Sequence, residues 1–509
     1  MNRILILAIE AVILTAIIGY FIYVETGLTS WIQDYISDET WYVPSARNIL
    51  IKIFGVQPKA IHDGMIRVTL ELVTPANQQD YYTKVDEVVN VIESLGGKVV
   101  KSTDYYTYNP SGDYLPAVCA DVPPESLNAL SKIREVKQYA VGECYPRAKG
   151  ILDYMNYEHP PLAKYFIALV LATVGDTYST WRLAPLAAGV AVLVMSYIYM
   201  RKVVGGYVGI FLGAALAFVI SLDNLFRVMS GVAMLDIFTS AFTYAALLAT
   251  ALGSTLWASI ATGLAFNTKF SGAFIALPGI VQRIRDGEKP GIAILAFVYI
   301  PVILLFLIAI PIISYLGFMG WWSNSVEGAI RWHLSIKTSG GGPPVSTPWD
   351  WLLGRNAFIL YYNTSPSGEP YPYLVAVGNP YLYLATAALS VFVLPVLNKL
   401  ADRGASVLAA WGTWLMYVLI WFLGSKTQYS FYMVQITPLI YTALVMIIFY
   451  LFFDPVNIKA TAREWASLLS KLAAWLRGEA RVRIVVEPVN VGKEIGEQPE
   501  ESAEGGSKP

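Results

Sequence analysis

Ser37-Asp38-Glu39-Thr40-Trp41-Tyr42 places two adjacent carboxylates directly behind the first long apolar run of the chain, Ile4 to Val24. An Asp-Glu pair alone is an ordinary helix start, because acidic side chains complement the free N–H groups and the positive end of a helix. Its setting gives it weight. The 509-residue chain is 55% hydrophobic, 13% aromatic and 14% charged, with a mean hydropathy of +0.50, which is too apolar for a soluble globular protein. The fold class that follows is a polytopic α-helical membrane protein. A formal net charge of -1 supplies no global basic field, so nucleic acid is not an expected partner.

Working outward from the pair, Arg3 before the first run puts that end inside and Asp38 and Glu39 outside. The run has no small-residue cleavage site and reads as a retained span. Continued by the positive-inside rule, the chain gives about ten spans: Ile4–Val24, Leu183–Met200, Tyr207–Leu222, Met234–Leu252, Leu256–Phe266, Phe270–Val281, Ile292–Leu316, Tyr381–Leu397, Val407–Leu423 and Val434–Phe453. The stretch from Tyr157 to Val174 is short and opens on Pro160-Pro161, so it is read as interfacial. A non-hydrophobic loop, 317–377, stays outside. The tail, 454–509, reads as cytoplasmic, with an amphipathic helix around Trp465 to Trp475 followed by an acidic, disordered end.

Residues 53–147 have the composition of a soluble domain inserted in the first outer loop. Its periods give strands at Met65–Val73, Lys98–Tyr106, Tyr114–Val122 and Gln138–Cys144, with helices at Asp80–Leu95 and Pro124–Val136. That βαββαβ order predicts a ferredoxin-like α+β sandwich. It is similar, in the run Val91 to Val99, to the small propeptide domains of subtilisin-type proteases, for the fold alone. The units are then 1–52, the insert 53–147, the membrane core 148–453 and the tail. Cys119 and Cys144 form a bridge only in an oxidising compartment, and the expectation is that they stay unpaired. Asn363-Thr364-Ser365 is a glycosylation sequon in the outer loop.

In this threading Asp38, Glu39, His159, Arg182, Asp223, Arg227, Asp236, Lys269, His333 and Lys426 all reach the outer face, although none was used to choose the topology. Taken singly, the lysines snorkel, the arginines anchor helices and the aspartates cap them. Taken together, both signs recur at the headgroup level, where charge is costly and is kept for function. Carboxylates beside Arg and Lys there suit a lipid-borne phosphate whose other end reacts with something outside.

These residues stand in motifs. The chain resembles the dolichyl-phosphate-mannose protein mannosyltransferases and the related transferases that modify lipid A with aminoarabinose, membrane glycosyltransferases of the GT-C fold. The resemblance rests on Asp38-Glu39-Thr40-Trp41-Tyr42, His159-Pro160-Pro161-Leu162-Ala163-Lys164, Arg182-Leu183-Ala184-Pro185, Ser230-Gly231-Val232-Ala233-Met234-Leu235-Asp236, Gly263 to Gly272 around Lys269, His333 with Ser346-Thr347-Pro348-Trp349, Gly378-Asn379-Pro380, and Lys426 before Phe431-Tyr432. It departs at Gly231, where the family usually has arginine and Arg227 is the candidate substitute, and at Lys426, where arginine is commoner.

The resemblance implies inverting transfer of a sugar, mannose first, from a polyprenyl- or dolichyl-phosphate carrier to a hydroxyl, Ser or Thr of a protein, on the outer face. Asp38 is then the general base, oriented by Glu39 or Arg182. His159, Lys164, Arg182, Arg227, Asp236, Lys269, His333 and Lys426 are the substrate- and phosphate-binding candidates. A sugar 1-phosphate already carries its leaving group, so no cofactor is required and no metal-ligand spacing is visible, though a divalent metal is compatible. A relative acting on a lipid or glycan acceptor, a multispan transporter and a membrane-anchored binding protein are the alternatives. The short cytoplasmic loops favour a prokaryotic plasma membrane.

Overall fold

The computed structural model describes residues 3–100, 107–334, 344–397 and 404–479. Among the described residues five helices are long and apolar enough to cross a membrane: Ile4–Thr29 within α1 (Arg3–Thr29), α6 (Leu183–Val203), α12 (Pro290–Leu316), Pro380–Leu397, which contains α16 (Pro380–Val393), and α17 (Ala405–Phe422). Two bent pairs raise the number to seven. The first joins α7 (Gly206–Leu222) to α8 (Asn224–Ser230) through 74°, and the second joins α18 (Thr437–Phe453) to α19 (Val456–Leu476) through 102°. The chain is an integral, multi-pass membrane protein.

Three of the ten expected spans are short helices. α9 (Asp236–Ala251) has 16 residues, α10 (Thr255–Thr268) has 14 and α11 (Ala276–Arg285) has 10. At 1.5 Å per residue, none of them reaches the ~30 Å of a hydrocarbon core. α9 is instead walled in by protein, so its Asp236, Ser240 and Thr243 are buried. α19 turns sharply from α18 and docks one face, with Trp465 Nε1 donating to the Phe392 carbonyl at 2.7 Å. This is the expected amphipathic helix. The acidic end, 480–509, lies outside the described residues.

The insert opens after α2 (Glu39–Lys52). β1 (Ile61–His62) and β2 (Met65–Leu72) are followed by α3 (Gln78–Ser94), β3 (Lys98–Val99), β4 (Ala117–Val122), α4 (Leu127–Leu130) and β5 (Val136–Val141). β3 pairs β4, β4 pairs β2 and β2 pairs β5, all antiparallel. α3 turns Tyr81, Val85, Val88 and Ile92 onto the sheet, where they meet Val68, Leu70 and Val118. Several expected boundaries shift, among them the fourth strand, which runs Val136–Val141 rather than Gln138–Cys144. The strand from Lys98 is assigned only to Val99, residues 101–106 being outside the described ones, and Pro124 to Val136 holds a 3-10 turn and the four-residue α4 rather than one helix. The third strand starts at Ala117 rather than Tyr114.

Contrary to the expectation, Cys119 and Cys144 form a disulfide. β4 lies beside the chain leaving β5, so the two side chains meet although 25 residues separate them. The end of the insert is tied to α2, the Tyr145 hydroxyl donating to Asn48 Oδ1 at 2.8 Å, and segments that follow the insert are tied there as well. Arg47 forms a fully buried, two-pronged pair with Asp176, Nε to Oδ2 at 2.7 Å and Nη2 to Oδ1 at 2.8 Å. Gly142 admits that arginine, because it sits at φ 144° and a Cβ there would fall 2.4 Å from Arg47 Cδ. Asn48 donates to the carbonyls of Ile151 and Tyr154, each at 2.8 Å, so the leg leaving the insert lies along α2.

α5 (Leu162–Thr173) follows that leg. The loop after α12, expected as non-hydrophobic, is not irregular throughout: it carries α13 (Phe318–Trp321), α14 (Gly328–Leu334), α15 (Pro348–Leu353) and the antiparallel hairpin β6 (Phe358–Thr364) with β7 (Pro370–Ala376).

Candidate active site

Asp38 is the residue before α2, and its neighbours explain why it is presented. Ser37 stands at φ 52°, a left-handed conformation that costs a non-glycine residue free energy and persists only when the surroundings enforce it. Glu39 enforces it. Its carboxylate, fully buried, accepts from the Ile36 N–H at 2.8 Å, the Ala233 N–H at 2.8 Å, Arg182 Nε at 3.0 Å and Arg182 Nη2 at 2.8 Å. Arg182 spends its remaining donors on the carbonyls of Thr29, Ile32 and Asp34. Both residues are therefore consumed in holding the turn. The sequence expectation that Arg182 would bond Asp38 or a phosphate is corrected: its partner is Glu39.

Asp38 lines a cavity of about 380 Å³ with Tyr42, Glu158, His159, Lys269 and Tyr432. Tyr42 is pushed well above the usual tyrosine range, by burial first and then by the charge of Asp38, so its hydroxyl keeps its proton. The wall from Tyr154 to His159 is a tight loop. Asn156, at φ 48°, donates to Glu158 Oε1 and to the Tyr154 hydroxyl, each at 2.8 Å, and Tyr154 donates to the same carboxylate oxygen. Underneath, the buried Lys164 Nζ donates to the carbonyls of Met155 at 3.3 Å and His159 at 3.0 Å and also to that of Asn156. Burial pulls Lys164 down to about 7, with the Glu158 charge acting the other way. Lys164 thus shapes the loop from behind and does not face a substrate.

The opposite wall holds the cation. Lys269 follows α10, and its Nζ pairs with Asp236 Oδ1 at 2.7 Å and lies 3.4 Å from the Tyr432 ring centroid. An ammonium over an aromatic face gains electrostatic attraction while its remaining donor directions stay available. Lys269 and Tyr432 also line a second, apolar cavity of about 440 Å³ among Phe266, Phe270, Phe274 and Ile420. The two cavities share these two side chains.

The remaining expectations divide. Asp38, His159 and Lys269 face the first cavity, and Asp236 reaches it through Lys269. Glu39, Lys164 and Arg182 stand behind it. Arg227 and Lys426 are not among its lining residues; Lys426 lies on the exposed surface, 3.2 Å from the Trp421 ring centroid. His333 is in α14 by its backbone, and its side chain lies outside the described residues. Asp223 is a hub elsewhere, accepting from Tyr441, Tyr383 and the Phe226 N–H. Glu158, Tyr154 and Tyr42 were given no role from sequence. Glu158 adjoins His159 in the motif, and that adjacency was the available signal.

Residues 158–315 match the dolichyl-phosphate-mannose-protein mannosyltransferase family model. The match covers the Glu158-His159-Pro160-Pro161 loop, Lys164, Arg182, Asp236 and Lys269, so the resemblance read from the motifs holds over the stretch that brings Glu158, His159 and Lys269 to the cavity. The chain is similar to ArnT from Cupriavidus metallidurans bound to undecaprenyl phosphate, with a TM-score of 0.38 and 16% identity over 63% of this chain and 55% of that one. The apo form of the same protein gives 0.38 and 14% over 63% and 54%. The oligosaccharyltransferase of Archaeoglobus fulgidus gives 0.34 and 13% over 88% and 56%. The chain thus spans about half the length of these solved proteins. No curated protein matches it by sequence.

Proposed function

We propose that this protein is a mannosyltransferase-like GT-C enzyme that moves a sugar from a polyprenyl-phosphate carrier to an acceptor hydroxyl outside the membrane. The observation that carries the reading is the pairing of two cavities through one lysine. The Asp38 cavity mixes carboxylates with aromatic rings and is sized for a sugar, the neighbouring cavity is apolar and suits an isoprenoid chain, and Lys269 lines both, a position suited to a phosphate. The match over residues 158–315 supports the same class.

In this reading Asp38 accepts the proton of the acceptor hydroxyl as its oxygen attacks the anomeric carbon. The bond from that carbon to the phosphate oxygen breaks, the configuration inverts, and polyprenyl phosphate leaves with its charge met by Lys269. Positive charge developing on the sugar ring is stabilised by the Asp38 and Glu158 carboxylates. Glu39 and Arg182 fix Asp38, and Lys164 fixes the loop bearing Glu158 and His159. Mannose and a Ser/Thr acceptor are the finer proposals, resting on the motif resemblance. The insert, a ferredoxin-like unit supported by its sheet order, adjoins the site through its exit leg and so is placed to influence acceptor choice.

The test is incubation of the purified, full-length protein with polyprenyl phosphates labelled in mannose or another sugar, together with a Ser/Thr-rich peptide or a glycan acceptor. Label leaving the lipid for the peptide supports the full proposal, and label passing only to the glycan corrects the acceptor. Retention of all label on every lipid contradicts the class.

A further inference from the structure

A third cavity, of about 610 Å³, lies among α11, α16 and α17 and shares no lining residue with the two that meet at Lys269. Its volume falls within the range of ligand pockets, about 300–1,000 Å³. The walls are apolar, with Leu277, Val281, Val391, Leu397 and Trp411 among them. Ser390 brings a hydroxyl to the wall, and Trp411 Nε1 takes it up by donating to its Oγ at 2.8 Å. α16 and α17 both belong to helices long and apolar enough to cross a membrane, so a cleft between them is open to acyl chains.

The cleft has one charged end. Arg285, the last residue of α11, donates through Nη2 to the carbonyl of Leu397 at 3.1 Å, and Leu397 is part of the wall. Its Nη1 donates to Gln282 Oε1 at 3.2 Å, while its Nε is buried without a partner. Arg283, by contrast, is spent on Asp286 and Glu288. The Arg285 end lies away from the candidate active site, because Pro380–Leu397 begins at the other end, where the Tyr383 and Thr437 hydroxyls meet at 2.9 Å just beyond Tyr432. α19 marks the level of the Arg285 end. It docks through Trp465 on the Phe392 carbonyl, lies at 102° to α18 and leaves Leu468, Leu469 and Leu472 exposed, as a helix resting on a membrane surface does.

We propose that this cleft holds an acyl chain of an anionic phospholipid whose phosphate sits on Arg285, in the leaflet opposite the one nearer Lys269. A guanidinium offers phosphate paired, charge-assisted donors, and basic side chains between spanning helices are where anionic headgroups bind. A polyprenyl phosphate lodged here would hold its phosphate at the opposite end of the spans from Lys269. The site is therefore distinct from that of the carrier, and it stands whether or not the transfer reaction proposed above is correct.

The test places the full chain in bilayers of equal parts phosphatidylglycerol and phosphatidylcholine, extracts it gently and reads the retained lipid by native mass spectrometry. The wild type is expected to keep phosphatidylglycerol over phosphatidylcholine by about fivefold, as one basic residue at a headgroup allows. The preference should vanish in Arg285→Gln, be largely kept in Arg285→Lys and be unchanged in Arg283→Gln. Equal retention of the two lipids by the wild type, or an undiminished preference in Arg285→Gln, overturns the headgroup site. A preference lost equally in Arg285→Lys traces the effect to the helix end rather than to the charge and overturns it as well. Phosphatidylglycerol with a photoreactive diazirine in its acyl chain tests the cleft. Label is expected on residues 277–281, 387–397 and 407–415, and less of it in Ala387→Trp, which fills the space. Label confined to other surfaces, or displacement of the phospholipid by added polyprenyl phosphate, overturns the assignment.

Discussion

Arg182 reaches Glu39 with two prongs, Nε to Oε1 at 3.0 Å and Nη2 to Oε2 at 2.8 Å, across 143 residues of chain. The pair is almost completely sealed, with side-chain exposures of 4% and 0%. Breaking a buried pair from one side leaves an uncompensated charge and costs about 3–5 kcal/mol. Arg182→Met is therefore expected to lose about that much in chemical denaturation. Pairing it with Glu39→Gln should recover part of the loss, because the stranded charge is then gone.

Lys269 is the cation both cavities share. Removing a preorganised donor to a leaving group costs about 10²–10³ in rate. Lys269→Met should lose that much in kcat/KM for the lipid-linked donor and bind polyprenyl phosphate more weakly. Lys426→Met, whose ammonium lies over Trp421 on the surface, should change neither. The comparison is made by steady-state kinetics with polyprenyl phosphate as a competitor.

Lys164 gives a pH signature. Its ammonium is pulled by burial from 10.5 to about 7, so between those values the unfolded chain binds a proton that the folded chain has released. Folding stability from this group then rises with pH across that window and is flat below it. Unfolding midpoints recorded from pH 7 to 10 should climb more steeply for the wild type than for Lys164→Met.

The disulfide joins β4 to the leg that runs on to Tyr154 and Glu158. Losing a native bridge of this kind costs about 2–5 kcal/mol. In Cys119→Ser/Cys144→Ser, hydrogen exchange should quicken in the insert and in residues 142–160 before it quickens in α9. Uniform exchange would separate the bridge from the site.

What the sequence made legible follows a physical divide. Periodicity located β2 and α3, because Val68, Leu70, Tyr81, Val85 and Val88 must all reach one core, and the motifs brought Asp38, His159 and Lys269 to one cavity. Pairing was hidden. That Glu39 rather than Asp38 takes Arg182, that Cys144 meets Cys119, and that Lys164 feeds backbone carbonyls all depend on which segments lie side by side. Length alone does not make spans of α9 to α11, which are apolar for contact with other helices as well as with lipid.

The account turns on Asp38, held by its neighbours at the mouth of a cavity that also holds Lys269. The direct measurement is the single-turnover rate of sugar loss from labelled polyprenyl phosphate for the wild type and for Asp38→Asn, with donor affinity and Tm recorded for both. The account predicts equal donor binding and an equal Tm, with transfer in Asp38→Asn slower by about 10²–10⁴. Transfer at the wild-type rate in Asp38→Asn would contradict it.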